Sequence, residues 1–304
     1  MSISIDGKLV SQTIREDIKN ETAELKDIYA KVPKLAVILV GNNPASQTYV
    51  ASKGKAAIEC GFEYEDFILD ESTSEAELLA LVEKLNKDKT VNGILVQLPL
   101  PKHLNEELII NTIDPKKDVD GFSPFNTGLL AIGEDCLKPC TPAGIIELLS
   151  FYNIQTSGKR VCVLGRSNIV GKPIALMLMQ KDYDATVTVC NSKTPNLSDE
   201  TLRSDIIIAA IGKSEFLTAD MVKEGSVVID VGINRIKDDT KKKGYRIVGD
   251  CDFSSLKDKC SYITPVPGGV GPMTITMLMK NTLKAFKSQW GIKWNILLNH
   301  MGVS

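Results

Sequence analysis

Histidine is nearly missing from this chain of 304 residues: only His103 and His300 occur. Cysteine is scarce too, with seven residues at 60, 136, 140, 162, 190, 251 and 260, of which only Cys136 and Cys140 lie close together. A tetrahedral zinc site would need two further nitrogen or sulfur ligands beside that pair, so no metal is expected. The odd, scattered cysteine count excludes a disulfide framework and reads as reduced thiols. No apolar run approaches the roughly 20 residues of a membrane span, so no membrane partner is expected. The N-terminus, MSISIDGKLVSQTIREDIKN, has neither the apolar core of a secretory leader nor the Arg-rich, acid-free make-up of a transit peptide. The expected location is cytoplasmic. A positive excess is also lacking, because 36 basic residues face 38 acidic ones for a net charge of −2. That excludes the broad basic face needed for nucleic acid, yet leaves room for a local anion pocket.

What the chain has in quantity is alternation. Hydrophobic residues make up 43% and charged residues 24%, the balance of a globular protein with a real core. Apolar runs suited to buried strands recur: KLAVILVG (34–41), EDFILD (65–70) and NGILVQLPLP (92–101), then GKRVCVLG (158–165), ATVTVCNS (185–192), SDIIIAAIG (204–212) and GSVVIDVGIN (225–234). Helical patterns separate them at about 44–60, 74–88 and 105–113, and 158–179 as a whole reads as strand, Gly-containing turn and helix. This order predicts βαβ units and a mostly parallel sheet. The loop DPKKDVDGFSPFN (114–126) and the segment GEDCLKPCTP (133–142) read as connections. Thr141 as N-cap and Pro142 at N1 predict a helix onset there. KDDTKKKGYR (237–246) reads as a charged hairpin or excursion, and a last helix is predicted from near Pro272. Two α/β domains result, one to about 142 and one over about 143–272, with the terminal helix free to join either.

The turn VLGRSNIVGKP ends a strand and opens a helix, where phosphates sit in doubly wound sheets. With only Gly165 and Gly171, six apart, it also fits an ordinary tight βα turn. The next strand ends VCNSKT, with no acidic residue for a ribose 2′-hydroxyl. Ser192 and Lys193 supply donors there, and Arg166, a bidentate phosphate binder, sits in the first turn. The set suits a 2′-phosphate, so NADP over NAD, unless these are merely solvated loop residues.

In SQTYVASKGKAA, Ser46, Tyr49 and Lys53 fall at i, i+3 and i+7, on one helix face. A buried lysine beside a phenol loses its proton more easily, which suits acid–base work. Spacing alone equally fits a lysine snorkelling at a domain edge. Gln97 lies where open α/β sheets bind ligands, and Asp118 or Asp120 can hold an amino-pyrimidine edge. Each also has an ordinary reading, as a loop cap or a turn former.

Taken together, GNNPASQTYVASKGKAA, GILVQLPLP, KDVDGF, PCTPAGI, VLGRSNIVGKP, VIDVGIN and ITPVPGGVGPMT resemble the bifunctional methylenetetrahydrofolate dehydrogenase/methenyltetrahydrofolate cyclohydrolase family, in the family's order and over essentially the whole chain. The resemblance implies an α/β fold of two lobes with a cleft between them. One is an N-terminal substrate domain, 1–142 plus 273–304. The other is a Rossmann-like, doubly wound NADP domain, 143–272. It implies oxidation of 5,10-methylenetetrahydrofolate with NADP⁺ and hydrolysis of the methenyl product to 10-formyltetrahydrofolate, in one-carbon metabolism and purine biosynthesis. A monofunctional NAD(P)-dependent dehydrogenase is the alternative. Carried over by residue, Lys53 manages the proton, Gln97 tunes it, Tyr49 stacks on the folate and Asp120 anchors the pterin. Leu98, Pro99, Pro267, Gly268 and Gly271 line the substrate. Gly165, Arg166, Ser167, Ser192, Ile233 and Thr274 hold the cofactor, with Ile233 by the nicotinamide. Asn191 stands where many members have His. The implied partners are tetrahydrofolate derivatives and a second copy, through the cofactor domain. The Y-x-x-x-K pattern also belongs to short-chain dehydrogenases, but there it follows the first dinucleotide-binding strands, whereas here it precedes Gly165 by more than a hundred residues. A folate- or nucleotide-binding module without catalysis is the remaining rival.

Overall fold

The computed structural model describes residues 2–241 and 244–292. The strands are β1 (Ile3–Ser4), β2 (Lys34–Val40), β3 (Glu63–Leu69), β4 (Gly93–Val96), β5 (Arg160–Leu164), β6 (Thr186–Cys190), β7 (Ile206–Ala209), β8 (Val227–Asp230), β9 (Asn234–Lys237), β10 (Tyr245–Val248) and β11 (Tyr262–Ile263). The helices are α1 (Gly7–Tyr29), α2 (Pro44–Glu59), α3 (Glu75–Lys87), α4 (Glu106–Thr112), α5 (Pro124–Ala131), α6 (Cys140–Phe151), α7 (Gly171–Leu178), α8 (Leu197–Leu202), α9 (Phe253–Leu256) and α10 (Val270–Gln289). None of them is long and apolar enough to cross a membrane.

Two compact units are formed: Arg15–Asn126 with the residues from Leu278 on, and the residues up to Ile14 with Thr127–Met277. The first holds a three-stranded parallel sheet in the order β3-β2-β4. β2 is central and buried, and Ala36, Ile38 and Val40 pack with Leu78, Val82 and Leu85 of α3 and with Ile109 of α4. A central parallel strand covered on both faces reads as a continuous apolar run, which is why KLAVILV announces itself. α3 begins with a full capping box between Ser74 and Glu77, satisfying two orphan donors at once.

The second unit holds a six-stranded sheet in the order β1-β11-β8-β7-β5-β6, parallel at every pairing. Leu164, Ile207, Val228 and Ile263 build its core. The charged excursion is the antiparallel hairpin β9–β10. All seven cysteine side chains are buried.

Several elements differ from expectation. The edge strand β1 and its neighbour β11 have two residues each, too short for any periodicity to show. β4 stops at Val96, ahead of Pro99 and Pro101. α5 begins in the last residues of the expected loop 114–126 and runs on to Ala131, where no element was expected. α6 begins at Cys140 with Pro139 as its cap and no side-chain cap bond, so the onset is not set by Thr141. Thr141 Oγ1 instead pairs with Thr274 Oγ1 at 2.9 Å. The boundaries of the units also depart from 1–142 plus 273–304 and 143–272. The N-terminal residues join the larger sheet because β1 pairs with β11, Ile5 N donates to Ile263 O at 2.8 Å and Asp6 N donates to Tyr152 Oη at 2.8 Å. The expectation of a packed C-terminal tail falls on 293–304, outside the described residues. Just ahead of it, Trp290 lies under Lys31 Nζ, 3.1 Å from the ring centroid.

Candidate active site

The smaller-sheet unit builds a polar corner from α2, the end of β4 and the loop after α4. α2 is started by Asn43, whose Oδ1 accepts from Ala45 N at 2.9 Å and Ser46 N at 3.3 Å, with Pro44 next in the chain. This onset places Ser46, Val50 and Lys53 on the buried side. Lys53 is only 8% exposed, while Tyr49 is 45% exposed and presents its ring outward. Lys53 Nζ donates to Gln97 Oε1 at 2.9 Å. The amide of Gln97 has one sensible orientation, since its Nε2 donates to Leu98 O at 2.6 Å and its backbone N donates to Ile38 O at 2.8 Å. The oxygen therefore faces the lysine. Leu98–Pro99 is a cis peptide bond, and Pro99 is exposed just beyond it.

Asp118 and Asp120 take different parts. Asp118 is buried and serves its own loop. Its Oδ1 accepts from Gly121 N at 3.1 Å and Phe122 N at 3.3 Å, and its Oδ2 from Ser123 N at 2.7 Å and Asn126 Nδ2 at 3.1 Å. That leaves Asp120 as the carboxylate available to a ligand. Burial pushes the Asp120 carboxyl above its ordinary value, the charge of Lys53 draws it down, and Asp118 raises it again. A small recess lies here, walled by Val96, Leu98, Ile110, Ile113 and Phe122, with both aspartates on its lining. Lys117, which was not expected at the site, ties this loop to α3. It is 6% exposed, and its Nζ donates to Leu85 O, Asn86 O and Asp88 O at 3.0, 2.8 and 2.7 Å. These are carbonyls at a helix C-terminus, where a cation is favoured.

In the larger-sheet unit the other expected residues gather at the C-terminal ends of parallel strands, where such sheets bind ligands. Gly165 follows β5 with φ +117°, and a Cβ there would lie 2.2 Å from Ala210 O. Only glycine fits that turn. Gly165 N donates to Cys190 O at 2.9 Å, tying the exit of β5 to that of β6. Arg166 and Ser192 are exposed at those two exits. The Ser167 hydroxyl oxygen accepts from Val170 N at 3.1 Å and Gly171 N at 3.2 Å, so it organises the start of α7 and keeps only its proton to offer. Asn191 closes a small turn, accepting from Lys193 N at 3.0 Å. Ile233 follows β8 and is 54% exposed. Pro267 and Gly268 lie in the turn between β11 and α10, and Gly271 in the first turn of α10. Val266–Pro267 is cis and Gly268 has φ +111°. Thr274 lies in the first turns of α10, bound to Thr141.

This donor set fits a phosphorylated dinucleotide. An exposed guanidinium and a hydroxyl stand at adjacent strand exits, and no carboxylate occurs in the turns 165–171 and 191–194. Two buried carboxylates that motif reading passed over, Asp230 and Asp250, lie deeper in the same unit. An Asp ending an otherwise apolar strand, as in VVID, was the available signal.

Known proteins point the same way. The family model described as "Tetrahydrofolate dehydrogenase/cyclohydrolase, catalytic domain" matches residues 5–120. The companion model, "Tetrahydrofolate dehydrogenase/cyclohydrolase, NAD(P)-binding domain", matches residues 139–290. The bifunctional protein FolD of Bacteroides fragilis is 54% identical over 285 residues, covering 93% of this chain and 97% of that protein. The crystal structure of the Campylobacter jejuni bifunctional FolD, a methylenetetrahydrofolate dehydrogenase/cyclohydrolase, has TM-score 0.90 at 50% identity and covers 95% of this chain and 100% of that one. The Trypanosoma brucei dehydrogenase-cyclohydrolase, solved with NADP cofactor and an inhibitor, has TM-score 0.90 at 40% identity and covers 95% of this chain and 98% of that one.

Proposed function

The chain belongs to the tetrahydrofolate dehydrogenase/cyclohydrolase family, and from that membership we propose how its residues divide the work. It is a bifunctional enzyme of one-carbon metabolism. It oxidises 5,10-methylenetetrahydrofolate to the methenyl cation with NADP⁺ and hydrolyses that cation to 10-formyltetrahydrofolate. NADP⁺, when bound, supplies the hydride acceptor at its nicotinamide.

Hydration of the methenyl cation involves both protons of the attacking water. One passes to Lys53 as the C–O bond forms and is delivered to the ring nitrogen as the bridge opens; the other leaves the adduct's hydroxyl as the formyl C=O forms, and is the one proton released overall. Gln97 holds Lys53 Nζ in place. Asp120 binds the amino-pyrimidine edge of the pterin, an arrangement in which a carboxylate accepts two N–H bonds. Tyr49 stacks on the folate, and Leu98 and Pro99 line it. Hydride transfer requires position rather than a protein base. Gly165, Arg166, Ser167, Ser192 and Thr274 bind the cofactor, Ile233 packs by the nicotinamide, and Pro267, Gly268 and Gly271 allow close approach of substrate. The residues of the smaller-sheet unit thus serve folate, and those around β5, β6 and β8 serve NADP. A homodimer through the NADP unit and a cytoplasmic location complete the reading.

The observation that carries it is the buried Lys53–Gln97 hydrogen bond, with Asp120 close enough for the lysine's charge to act on its carboxyl. Two assays on one pure sample test it: methenyl formation from 5,10-methylenetetrahydrofolate with NADP⁺ or NAD⁺, and decay of supplied methenyltetrahydrofolate. NADP⁺-dependent formation together with accelerated decay is expected. Formation without accelerated decay would remove the hydration role of Lys53. Light scattering at twice the chain mass is expected for the dimer, and a monomer would overturn that part alone.

A further inference from the structure

We infer that Asp230 and Asp250 form a buried bracket that positions the loop carrying Ile233, and thereby serves the dehydrogenase step and not the hydrolysis. The inference rests on the proposed place of Ile233 beside the nicotinamide.

The bracket is built chiefly from backbone and amide donors, with the Cys251 thiol also bonded to Asp230. Asp230, the last residue of β8, accepts from Gly232 N at 2.9 Å and Asp250 N at 2.8 Å through Oδ1, and from Cys251 N at 2.9 Å through Oδ2. Asp250 Oδ2 accepts from Ile211 N at 2.7 Å and Gly212 N at 2.9 Å, just past the end of β7. Its Oδ1 accepts from Asn234 Nδ2 at 2.9 Å, and Asn234 Nδ2 also reaches Gly249 O at 3.1 Å. Both residues that flank Ile233 are therefore tied to the bracket, Gly232 by its backbone and Asn234 by its side chain. The exposed Ile233 side chain is held between two fixed neighbours. Asp250 thus also fixes the exit of β7, so two adjacent strand ends share one anchor.

Placing two carboxylates together out of water is costly unless every oxygen is served. The sequence around them is shaped to permit it. A Cβ on Gly232 would lie 2.3 Å from Asp250 Oδ1, and one on Gly249 would lie 1.7 Å from Asp230 Oδ2. Both glycines leave room for the aspartates. A bare packing core would need neither the acids nor the glycines. A loop that must present one apolar side chain in a fixed place is served by this kind of support.

The test uses both activities of the full chain, with hydrolysis of supplied methenyltetrahydrofolate measured without cofactor as the internal control. Asp250→Ala is expected to lower dehydrogenase kcat about tenfold or more, the scale of a displaced reacting group, while hydrolysis stays within about twofold. Asp250→Asn, which keeps one acceptor, is expected to recover part of the loss. Asn234→Ala, a milder cut in the same bracket, is expected to lower the same activity by a smaller factor and serves if Asp250→Ala fails to fold. Equal loss of both activities in the soluble variants, or no loss of either, would overturn the inference. Ile233→Ala run alongside separates the two levels. If it lowers dehydrogenase activity and the bracket variants do not, the bracket is wrong. If it leaves dehydrogenase activity untouched, the placement of Ile233 is wrong and the inference falls with it.

Discussion

Replacing Lys117 by Met tests how Asp120, the carboxylate proposed to bind the pterin, is held. The methionine keeps most of the apolar stem but removes the ammonium that serves Leu85 O, Asn86 O and Asp88 O. Hydrogen bonds from a charged donor contribute about 1.5–3 kcal/mol each. Three on one nitrogen do not add, and loss of a favourable cation at the end of α3 is included in the same change. Burial already holds the Lys117 ammonium below the ordinary lysine value, against Asp114 and Asp88, which trims the gain. A cost of about 3 kcal/mol follows, or a fall of about 10 °C in the melting temperature of a unit this size. Lys117 O also accepts from Ile94 N at 2.8 Å, so the loop that carries Asp120 is pinned to β4 and α3 at one residue. Below the new melting temperature, KM for the folate substrate should rise about tenfold, the effect of a binding group displaced by less than 1 Å. Thermal unfolding and steady-state kinetics on the same preparation read both. A melting temperature within 2 °C of the parent and an unchanged KM would refute the reasoning.

Other outcomes follow from the same geometry. Burial pushes the Asp230 carboxyl up to about 6, against three backbone hydrogen bonds. The folded state thus binds the proton more readily than the unfolded one, and stability should fall as pH rises from about 4 to about 6, by roughly 3 kcal/mol. Urea midpoints across that window should slope downward with pH more steeply in the parent than in Asp230→Asn, and equal slopes would contradict the assignment. Gly165→Ala forces a Cβ towards Ala210 O at a positive φ, costing about 3 kcal/mol or more. NADP⁺ binding by titration should be lost, while hydrolysis in soluble protein persists. Arg166→Ala should raise KM for NADP⁺ far more than for NAD⁺, whereas parallel rises would mean Arg166 does not read the 2′-phosphate.

Much of this was legible in the residues. The central strands β2, β5 and β7 are continuous apolar runs because both faces are covered, and Asn43-Pro44 marks the start of α2 by plain capping chemistry. The Lys53–Gln97 contact was readable only as a resemblance, since the two residues are 44 positions apart and no local rule joins a helix lysine to a strand-end amide. Two-residue strands such as β1 and β11 carry no pattern of their own, so the attachment of the N-terminus to the larger sheet, and hence the division of the chain, could not be seen. By residue type Asp118 and Asp120 looked alike in KKDVDGF, and only the resemblance picked out Asp120. The fold gives the physical reason, by spending four hydrogen bonds on Asp118. Asp230 and Asp250 escaped notice because a buried acid that serves backbone N–H groups has no sequence signature beyond its position at the end of a strand.

Lys53→Met, assayed for both activities, is the most direct test of the account. Accelerated decay of methenyltetrahydrofolate should vanish, while NADP⁺-dependent oxidation changes by a different factor and folate binding and thermal stability are retained. Hydrolysis that survives in the variant, or equal loss of both activities with folding and folate binding intact, would contradict the assignment of the proton to Lys53.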